Sequence, residues 1–126
     1  MAADVVSRFA EALQQAERSR DVAPLVAMFA EDATLDSPER ELTEQGGAAI
    51  ADFWTQYLGS FETIRSEFTR VSRAENIGVL EWRSSGSLSG GSPVEYAGVT
   101  LLDLKGEQVM RMATYYDTAA LRTVRS

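Results

Sequence analysis

The sequence predicts an α+β domain in which helices cover one face of an antiparallel sheet. Apolar residues in the first half recur every three or four positions, whereas the second half consists of long segments separated by turn-forming clusters. A run of helices followed by strands joined by short turns is typical of this class. With 126 residues, we expect a single domain over 1–126, because a chain of this length forms one core.

The first two helices are indicated by their apolar stripe and their start signals. Apolar residues between positions 5 and 16 lie on one helical face, and Asp4 stands at the N-cap position. The second helix is predicted to begin after Asp21, with Pro24 in its first turn, where a missing N–H costs little. Two short helices in succession are therefore expected before residue 30.

The middle of the chain is predicted to hold a short extended piece, a loop and a third helix. Residues 33–35 form the extended piece, which Pro38 ends. Residues 38–47 are polar and close on two glycines, so we expect a surface loop there. The third helix is predicted from Ala48 to about Leu58.

Strands are predicted in the second half, each ended by a turn-forming cluster. Their ranges are 63–73, 77–87, 94–104 and 108–116. Asp117 is predicted to cap a terminal helical turn over 118–121.

The last two predicted strands are apolar on both faces. Within 94–104, Leu102 lies on one face, while Val99 and Leu101 lie on the other. Because the helices cover one face only, we expect the outer face to pack against a second copy of the chain. The alternative, in which the C-terminal turn or a loop covers that face, stays open.

Composition excludes several kinds of chemistry. The chain contains no His and no Cys, which excludes Ser-His-Asp and Cys-His nucleophile systems and the usual zinc sites. Any catalysis must use Asp, Glu, Tyr, Arg, Ser, Thr or the single Lys105. We therefore expect no metal and no cofactor.

Charge and hydropathy exclude two kinds of partner. The net charge of −7 disfavours binding to nucleic acid and to anionic membranes. No apolar run approaches the ~18 residues that a membrane span needs. The chain also lacks the basic start and apolar stretch of a signal peptide, so a cytoplasmic location is expected.

Three segments together resemble the NTF2-like superfamily, in particular its SnoaL-like (polyketide-cyclase-like) and ketosteroid-isomerase-like branches. They are residues 29–38 (FAEDATLDSP), residues 47–54 (GAAIADFW) and residues 106–117, which end in Tyr-Tyr-Asp. The resemblance implies a cone, with three N-terminal helices packed on a strongly curved antiparallel sheet of four long strands plus a short one. It also implies an apolar pocket between helices and sheet, and dimerisation through the outer face of the sheet.

The catalytic acids of these branches are replaced in this chain. Where the resemblance implies the tyrosine, the base and the strand acid of ketosteroid isomerases, the sequence has Phe9, Ser37 and Thr100. Limonene-epoxide-hydrolase-like and cyclase-like members carry an Asp at the position of Thr114. The standard chemistries of the superfamily are therefore not supported.

Two other carboxylates are candidate bases. Glu81 and Arg83 are two residues apart on a predicted strand and share a face. The resemblance places that face inside the cone, whereas the apolar Leu80 and Trp82 indicate that the opposite face is buried, and both alternatives stay open. Asp36 lies one residue from the position of the isomerase base, although such an Asp also commonly bonds backbone N–H groups.

The expected function is a pocket for a small apolar organic molecule, with metal-free isomerase, cyclase or hydrolase chemistry that uses Glu81 or Asp36 as the base. The alternative is a non-catalytic ligand-binding or dimerisation module. The candidate ligand-binding residues are Phe9, Phe53, Trp54, Tyr57, Arg83, Thr100, Leu102, Met112, Thr114 and Tyr116.

Overall fold

The structure, a computed structural model, describes residues 4–37 and 42–116. The helices are α1 (Val5–Ser19), α2 (Ala23–Val26) and α3 (Gly47–Gly59). The strands are β1 (Phe29–Ser37), β2 (Leu42–Gln45), β3 (Phe61–Ala74), β4 (Ile77–Leu88), β5 (Pro93–Lys105) and β6 (Gln108–Tyr116). The α+β class is confirmed, and the predicted Asp117 cap and terminal turn lie outside the described residues.

All six strands form one curved sheet in the order β2-β1-β6-β5-β4-β3. Every neighbouring pair is antiparallel except β1 and β6, which run parallel, so the sheet is mixed. The long strands β3 and β4 pair along almost their whole lengths, which gives the sheet its widest part. Helices α1 and α3 pack on its inner face.

The segment predicted as a loop over 38–47 contains strand β2, so that prediction is wrong in part. The strand has the sequence Leu-Thr-Glu-Gln, which lacks the apolar alternation that marks a half-buried strand. It forms because its backbone pairs with β1 at the edge of the sheet. Pairing with β2 over 34–37, together with pairing with β6 from Phe29 onward, makes β1 longer than the predicted extended piece at 33–35.

The start of α1 follows the predicted capping chemistry. The Asp4 carboxylate accepts a hydrogen bond from the Val6 backbone N–H at 3.0 Å, which satisfies one donor of the first turn. Val5, Val6 and Phe9 are buried on the stripe that faces the sheet. Helix α2 is a single turn, and the Asp21 carboxylate accepts from its first backbone N–H at 3.0 Å.

The register settles which face of β4 is buried. Leu80 and Trp82 are buried on the inner face, whereas Glu81 and Arg83 are exposed on the outer face. On β5, Leu102 is buried inside while Val99 and Leu101 are half-buried on the outside. The sheet therefore carries apolar side chains on both faces in its β5 region. Within the described ranges, no helix has the length and apolar character that a membrane span requires.

Candidate functional site

A cavity of about 60 Å³ lies between the helices and the inner face of the sheet. Helices α1 and α3 supply one wall, and the inward side chains of β1 and β3–β6 supply the other. Six of its lining side chains are aromatic, and they include both tryptophans of the chain. These six are Phe53, Trp54, Tyr57, Trp82, Tyr96 and Tyr116.

The aromatic rings meet mostly edge to face. Trp54 lies at 82° to Phe53, with ring centroids 5.4 Å apart, and Trp82 lies at 88° to Tyr96, also at 5.4 Å. Edge-to-face pairs are favourable because the positive ring edge contacts the negative ring face. Since adjacent rings are turned through nearly a right angle, the wall presents both ring faces and ring edges.

One carboxylate lines the cavity among the described residues, that of Glu17 in the last turns of α1. Its side chain is 5% exposed. Ser66 on β3 donates its backbone N–H to one carboxylate oxygen at 2.9 Å and its hydroxyl to the other at 2.6 Å. The Ser84 hydroxyl on β4 contacts that of Ser66 at 2.6 Å, which extends the chain of hydrogen bonds from the edge strand β3 to its neighbour β4.

Burial raises the pKa of the Glu17 carboxyl above its ordinary value, because the charged form loses its hydration. The two hydrogen bonds from Ser66 favour the charged form and reduce this effect. The position near the carboxyl end of α1 adds nothing in favour of a negative charge, since the helix dipole is negative there. Glu17 therefore takes up a proton at a higher pH than an unperturbed carboxylate does.

Several hydroxyl and indole groups in the wall pair with one another, whereas the buried Trp54 indole N–H has no hydrogen-bond partner among the described residues. The Trp82 indole N–H donates to the Thr100 hydroxyl at 3.0 Å, and Thr100 contacts the Thr114 hydroxyl at 3.0 Å. The hydroxyls of Tyr57 and Tyr96 are also hydrogen-bonded to each other. Burial raises the pKa of both tyrosines, so these phenols stay protonated at neutral pH and keep a hydrogen that they can donate.

The structure brings most of the predicted ligand-binding residues to the cavity. Phe9 is an exception, because it packs edge to face against Phe29 at 5.8 Å within the core. Leu102 is fully buried elsewhere in the core, and Arg83 lies on the outer face. The predicted residues that do line the cavity are Phe53, Trp54, Tyr57, Thr100, Met112, Thr114 and Tyr116.

The two predicted bases lie away from the cavity, which corrects their expected position. Glu81 is exposed and accepts a hydrogen bond from Thr69 at 3.0 Å, because Leu80 and Trp82 occupy the inner face of β4. Asp36 accepts from the Arg111 guanidinium at 2.8 Å, on the side of β1 opposite the cavity-lining Leu35. Their catalytic roles stay untested predictions that this geometry does not favour.

Glu17 was missed by sequence reasoning, although a signal for it was present. It follows Leu13 by four residues and Phe9 by eight, so it lies on the buried stripe of α1. A charged residue on an apolar stripe is uncommon, because burial of an unpaired charge is costly. Within residues 4–37 and 42–116, no group of three or more acidic side chains is arranged to hold a metal ion.

Comparisons with known proteins agree with this architecture. The family model of the SnoaL-like domain matches residues 6–112. No match was found among curated proteins. Among solved structures, an NTF2-like protein from Anabaena variabilis ATCC 29413 is similar, with a TM-score of 0.82 and 24% identity over 90% of this chain and 87% of that chain.

Two further structures share the fold at lower identity. A hypothetical protein with a ketosteroid isomerase-like fold from Catenulispora acidiphila DSM 44928, in complex with trimethylamine, has a TM-score of 0.80 and 22% identity over 89% of this chain and 87% of that chain. An LEH-like epoxide hydrolase from M. tuberculosis has a TM-score of 0.77 and 13% identity over 95% and 87%. Since the family model covers most of the sequence and the fold agrees, the chain belongs to the SnoaL-like domain family, within the NTF2-like fold.

Proposed function

We propose that the protein binds a small organic molecule in the aromatic cavity, with Glu17 as its charged contact. The observation that carries this proposal is a buried carboxylate in a cavity whose wall is largely aromatic. Concave apolar sites with a few placed polar groups are the usual form of small-molecule sites. The family includes cyclases, isomerases and epoxide hydrolases, and the structure from Catenulispora acidiphila holds trimethylamine, a molecule of a few heavy atoms.

A screen of small organic molecules by thermal shift and calorimetry tests this binding function. We expect at least one compound to raise the melting temperature of the wild-type protein and of Val71→Trp, which adds bulk on an exposed part of β3. Leu13→Trp places the same bulk in the cavity wall and is expected to abolish that shift. Equal shifts in both variants would place binding elsewhere and contradict the proposal.

A second candidate function is metal-free proton transfer with Glu17 as the base. The raised pKa of its carboxyl favours this function, because a base works best when its pKa is near the working pH. Glu17 would take a proton from a carbon beside a carbonyl and return it to another carbon. Protonated hydroxyls of the wall, such as those of Tyr57 or Tyr96, would donate to the carbonyl oxygen as negative charge develops there.

Assays with a β,γ-unsaturated ketone and a panel of epoxides test the catalytic candidate. Loss of a general base lowers the rate by about 10²–10⁴-fold, so we expect a loss of this size in Glu17→Gln. Glu81→Gln and Asp36→Asn, which remove carboxylates away from the cavity, are expected to keep wild-type rates. Turnover that is retained in Glu17→Gln but lost in either of these two variants would show that the base is Glu81 or Asp36, as predicted from the sequence.

We also propose a homodimer formed through the outer face of the sheet. Val99 and Leu101 are half-buried on that face, and Tyr115 beside them is 46% exposed. The exposed Glu81 and Arg83 of β4, the first of which pairs with Val99, put charges of both signs beside this strip, which suits the self-complementary contacts of a two-fold dimer. The cytoplasmic location stays a prediction.

A further inference from the structure

The cavity combines an aromatic wall with a buried carboxylate that forms no ion pair among the described residues, the charge of Arg18 acting on it only from a distance. None of the ion pairs among the described residues involves Glu17, and no Lys or Arg from the described part of the chain lines the cavity. We propose that the occupant of the cavity is a small alkylammonium ion, held by the Glu17 carboxylate and by the faces of the surrounding aromatic rings. This inference rests on the proposed binding function and names the class of its ligand.

Ring faces attract cations because the π-electrons make them negative. A cation within about 6 Å of the centre of a Trp, Tyr or Phe ring gains roughly 0.5–1 kcal/mol at exposed sites and about 2 kcal/mol or more when water is excluded. The wall contains Trp54 and Trp82, and Trp is the strongest of the three ring types in this interaction. Aromatic cages of this kind are the general means by which proteins bind methylated ammonium groups.

The Glu17 carboxylate independently favours a cationic ligand. Glu17 has two hydrogen bonds from Ser66 but no ion-pair partner within the described part of the chain, although it is almost fully buried. A buried charge is costly unless a charge of opposite sign lies beside it. An ammonium ion in the cavity supplies that charge, whereas a neutral or anionic ligand leaves the carboxylate unpaired.

Glu17 lies close enough to the rings for both features to act on one ligand. The carboxylate-bearing Glu17 and the rings of Tyr57 and Tyr96 line the same small cavity, so a single ligand there can contact both kinds of group. A nitrogen that carries one hydrogen and several methyl groups fits both features, because the N–H donates to the carboxylate while the methyl groups contact the rings.

Size and net charge also agree with such a ligand. At roughly 10–15 Å³ for each water-sized group, about 60 Å³ holds roughly four to six such groups. This matches a trimethylammonium ion, which has one nitrogen and three methyl groups. The net charge of −7 raises the local concentration of cations around the protein.

The test compares trimethylammonium chloride with tert-butanol, a neutral molecule of similar shape, by calorimetry and tryptophan fluorescence. Fluorescence is a direct readout, because both tryptophans of the chain line the cavity. We expect the ammonium ion to bind at least tenfold more tightly than tert-butanol, with sodium chloride at equal ionic strength producing no change. We expect Glu17→Gln to bind the ion at least tenfold more weakly, while Glu81→Gln binds it as the wild type does.

A second variant checks the contribution of the rings. Phe53→Leu keeps an apolar side chain at a half-buried position of the wall and removes one ring face. It is expected to weaken binding of the ion about threefold or more and to leave tert-butanol binding unchanged. Circular dichroism and the melting temperature establish that each variant is folded before its binding is measured.

The outcomes separate this inference from the proposed function. Equal or tighter binding of tert-butanol, or ion binding that Glu17→Gln does not weaken, overturns the alkylammonium inference while the cavity remains a small-molecule site. If neither probe binds but a neutral compound from the screen does, the inference fails and the binding function stands. If neither probe binds and the screen yields no compound that Leu13→Trp excludes, both fail.

Discussion

The environment of Glu17 is unfavourable for a charged carboxylate. Its carboxylate is buried, lies near the negative end of a helix dipole and lacks an ion-pair partner among the described residues. Two donors from Ser66 compensate in part. Groups held in unfavourable surroundings cluster at functional sites, because the same surroundings tune their reactivity and affinity.

The first prediction concerns the pH dependence of stability in Glu17→Gln. Because the pKa of Glu17 is raised on folding, its protonated form stabilises the fold below the ordinary value of 4.5, and this contribution is lost as the pH rises through the folded value. At pH 7 the ionised group therefore costs stability. We expect the glutamine variant to melt at a higher temperature than the wild type at pH 7 and at a similar temperature near pH 4.

Thermal melts of both proteins between pH 4 and pH 8 provide the measurement. Glu81→Gln is the control, because it removes the same charge from the outer face. A difference between Glu17→Gln and the wild type that does not vary with pH would show that burial of the carboxylate has no effect on its protonation.

At the scale of elements, Arg20 connects the end of α1 with the turn between α3 and β3. Its guanidinium donates to the backbone carbonyls of Leu58, of Phe61 at 3.1 Å and of Glu62 at 2.8 Å. Its backbone has φ of 68°, in the left-handed region that ends many helices. One side chain thus caps a carbonyl in the last turn of α3 and two carbonyls at the start of β3.

The second prediction follows from these contacts. Arg20→Ala is expected to lower the free energy of unfolding by about 1–2 kcal/mol, since hydrogen bonds from a charged donor are lost. Arg20→Gly loses the same bonds but removes the left-handed backbone strain, which is worth about 1 kcal/mol, so it should lie between Ala and the wild type. Arg18→Ala, which loses one exposed hydrogen bond to Gln15 and a long-range interaction with Glu17, is expected to change stability by less than about 0.5 kcal/mol.

Urea melts of the three variants give these differences. If Arg20→Ala were no less stable than Arg18→Ala, the contacts of the guanidinium with the three carbonyls would not contribute to the stability of the fold.

The third prediction concerns the close approach of β4 and β6 to β5 at Gly98. A Cβ atom there would lie 2.3 Å from the Tyr115 carbonyl oxygen and 2.7 Å from the Trp82 ring. Gly98→Ala must displace backbone and is expected to cost about 1–3 kcal/mol. Gly90→Ala, where a Cβ meets nothing within 4 Å, is the control and should be close to neutral in the same urea melts. Equal stability of the two variants would contradict this packing.

At the scale of the whole molecule, the sheet separates two surfaces. Its inner face encloses the cavity, while its outer face carries the apolar strip of Val99, Leu101 and Tyr115. Because side chains alternate along a strand, one strand supplies both surfaces, and a substitution on one face leaves the other intact. The proposed dimer can therefore be tested without a change to the cavity.

The fourth prediction is that Leu101→Arg dissociates the dimer. Burial of a charge in the centre of an apolar interface is unfavourable, so sedimentation should show a species near 13.8 kDa for this variant and twice that mass for the wild type at micromolar concentration. Gln56→Arg, on the exposed face of α3, is the control and should remain dimeric. A wild-type protein that sediments as a monomer would contradict the interface.

The sequence by itself determined the helices, the long strands and most of the cavity wall. Periodicity places Val5, Val6 and Phe9 on one buried stripe, and alternation places Leu80 and Trp82 on the inner face of β4. These are local patterns, which follow from 3.6 residues per helical turn and two residues per strand repeat. The family resemblance led to Glu81 as an inner residue, against this alternation, and the alternation was right.

Only the tertiary structure decided which carboxylate enters the cavity. Glu17 and Ser66 are 49 residues apart, and they meet because α1 packs across β3. The edge strand β2 likewise forms through backbone pairing with β1, which its side-chain pattern does not predict. Local patterns encode which face of an element is buried, whereas contacts between distant elements arise from packing of the whole sheet against the helices. Because the chain contains no His and no Cys, carboxylates are its main candidate bases, and the packing of α1 against the sheet places Glu17 in the cavity.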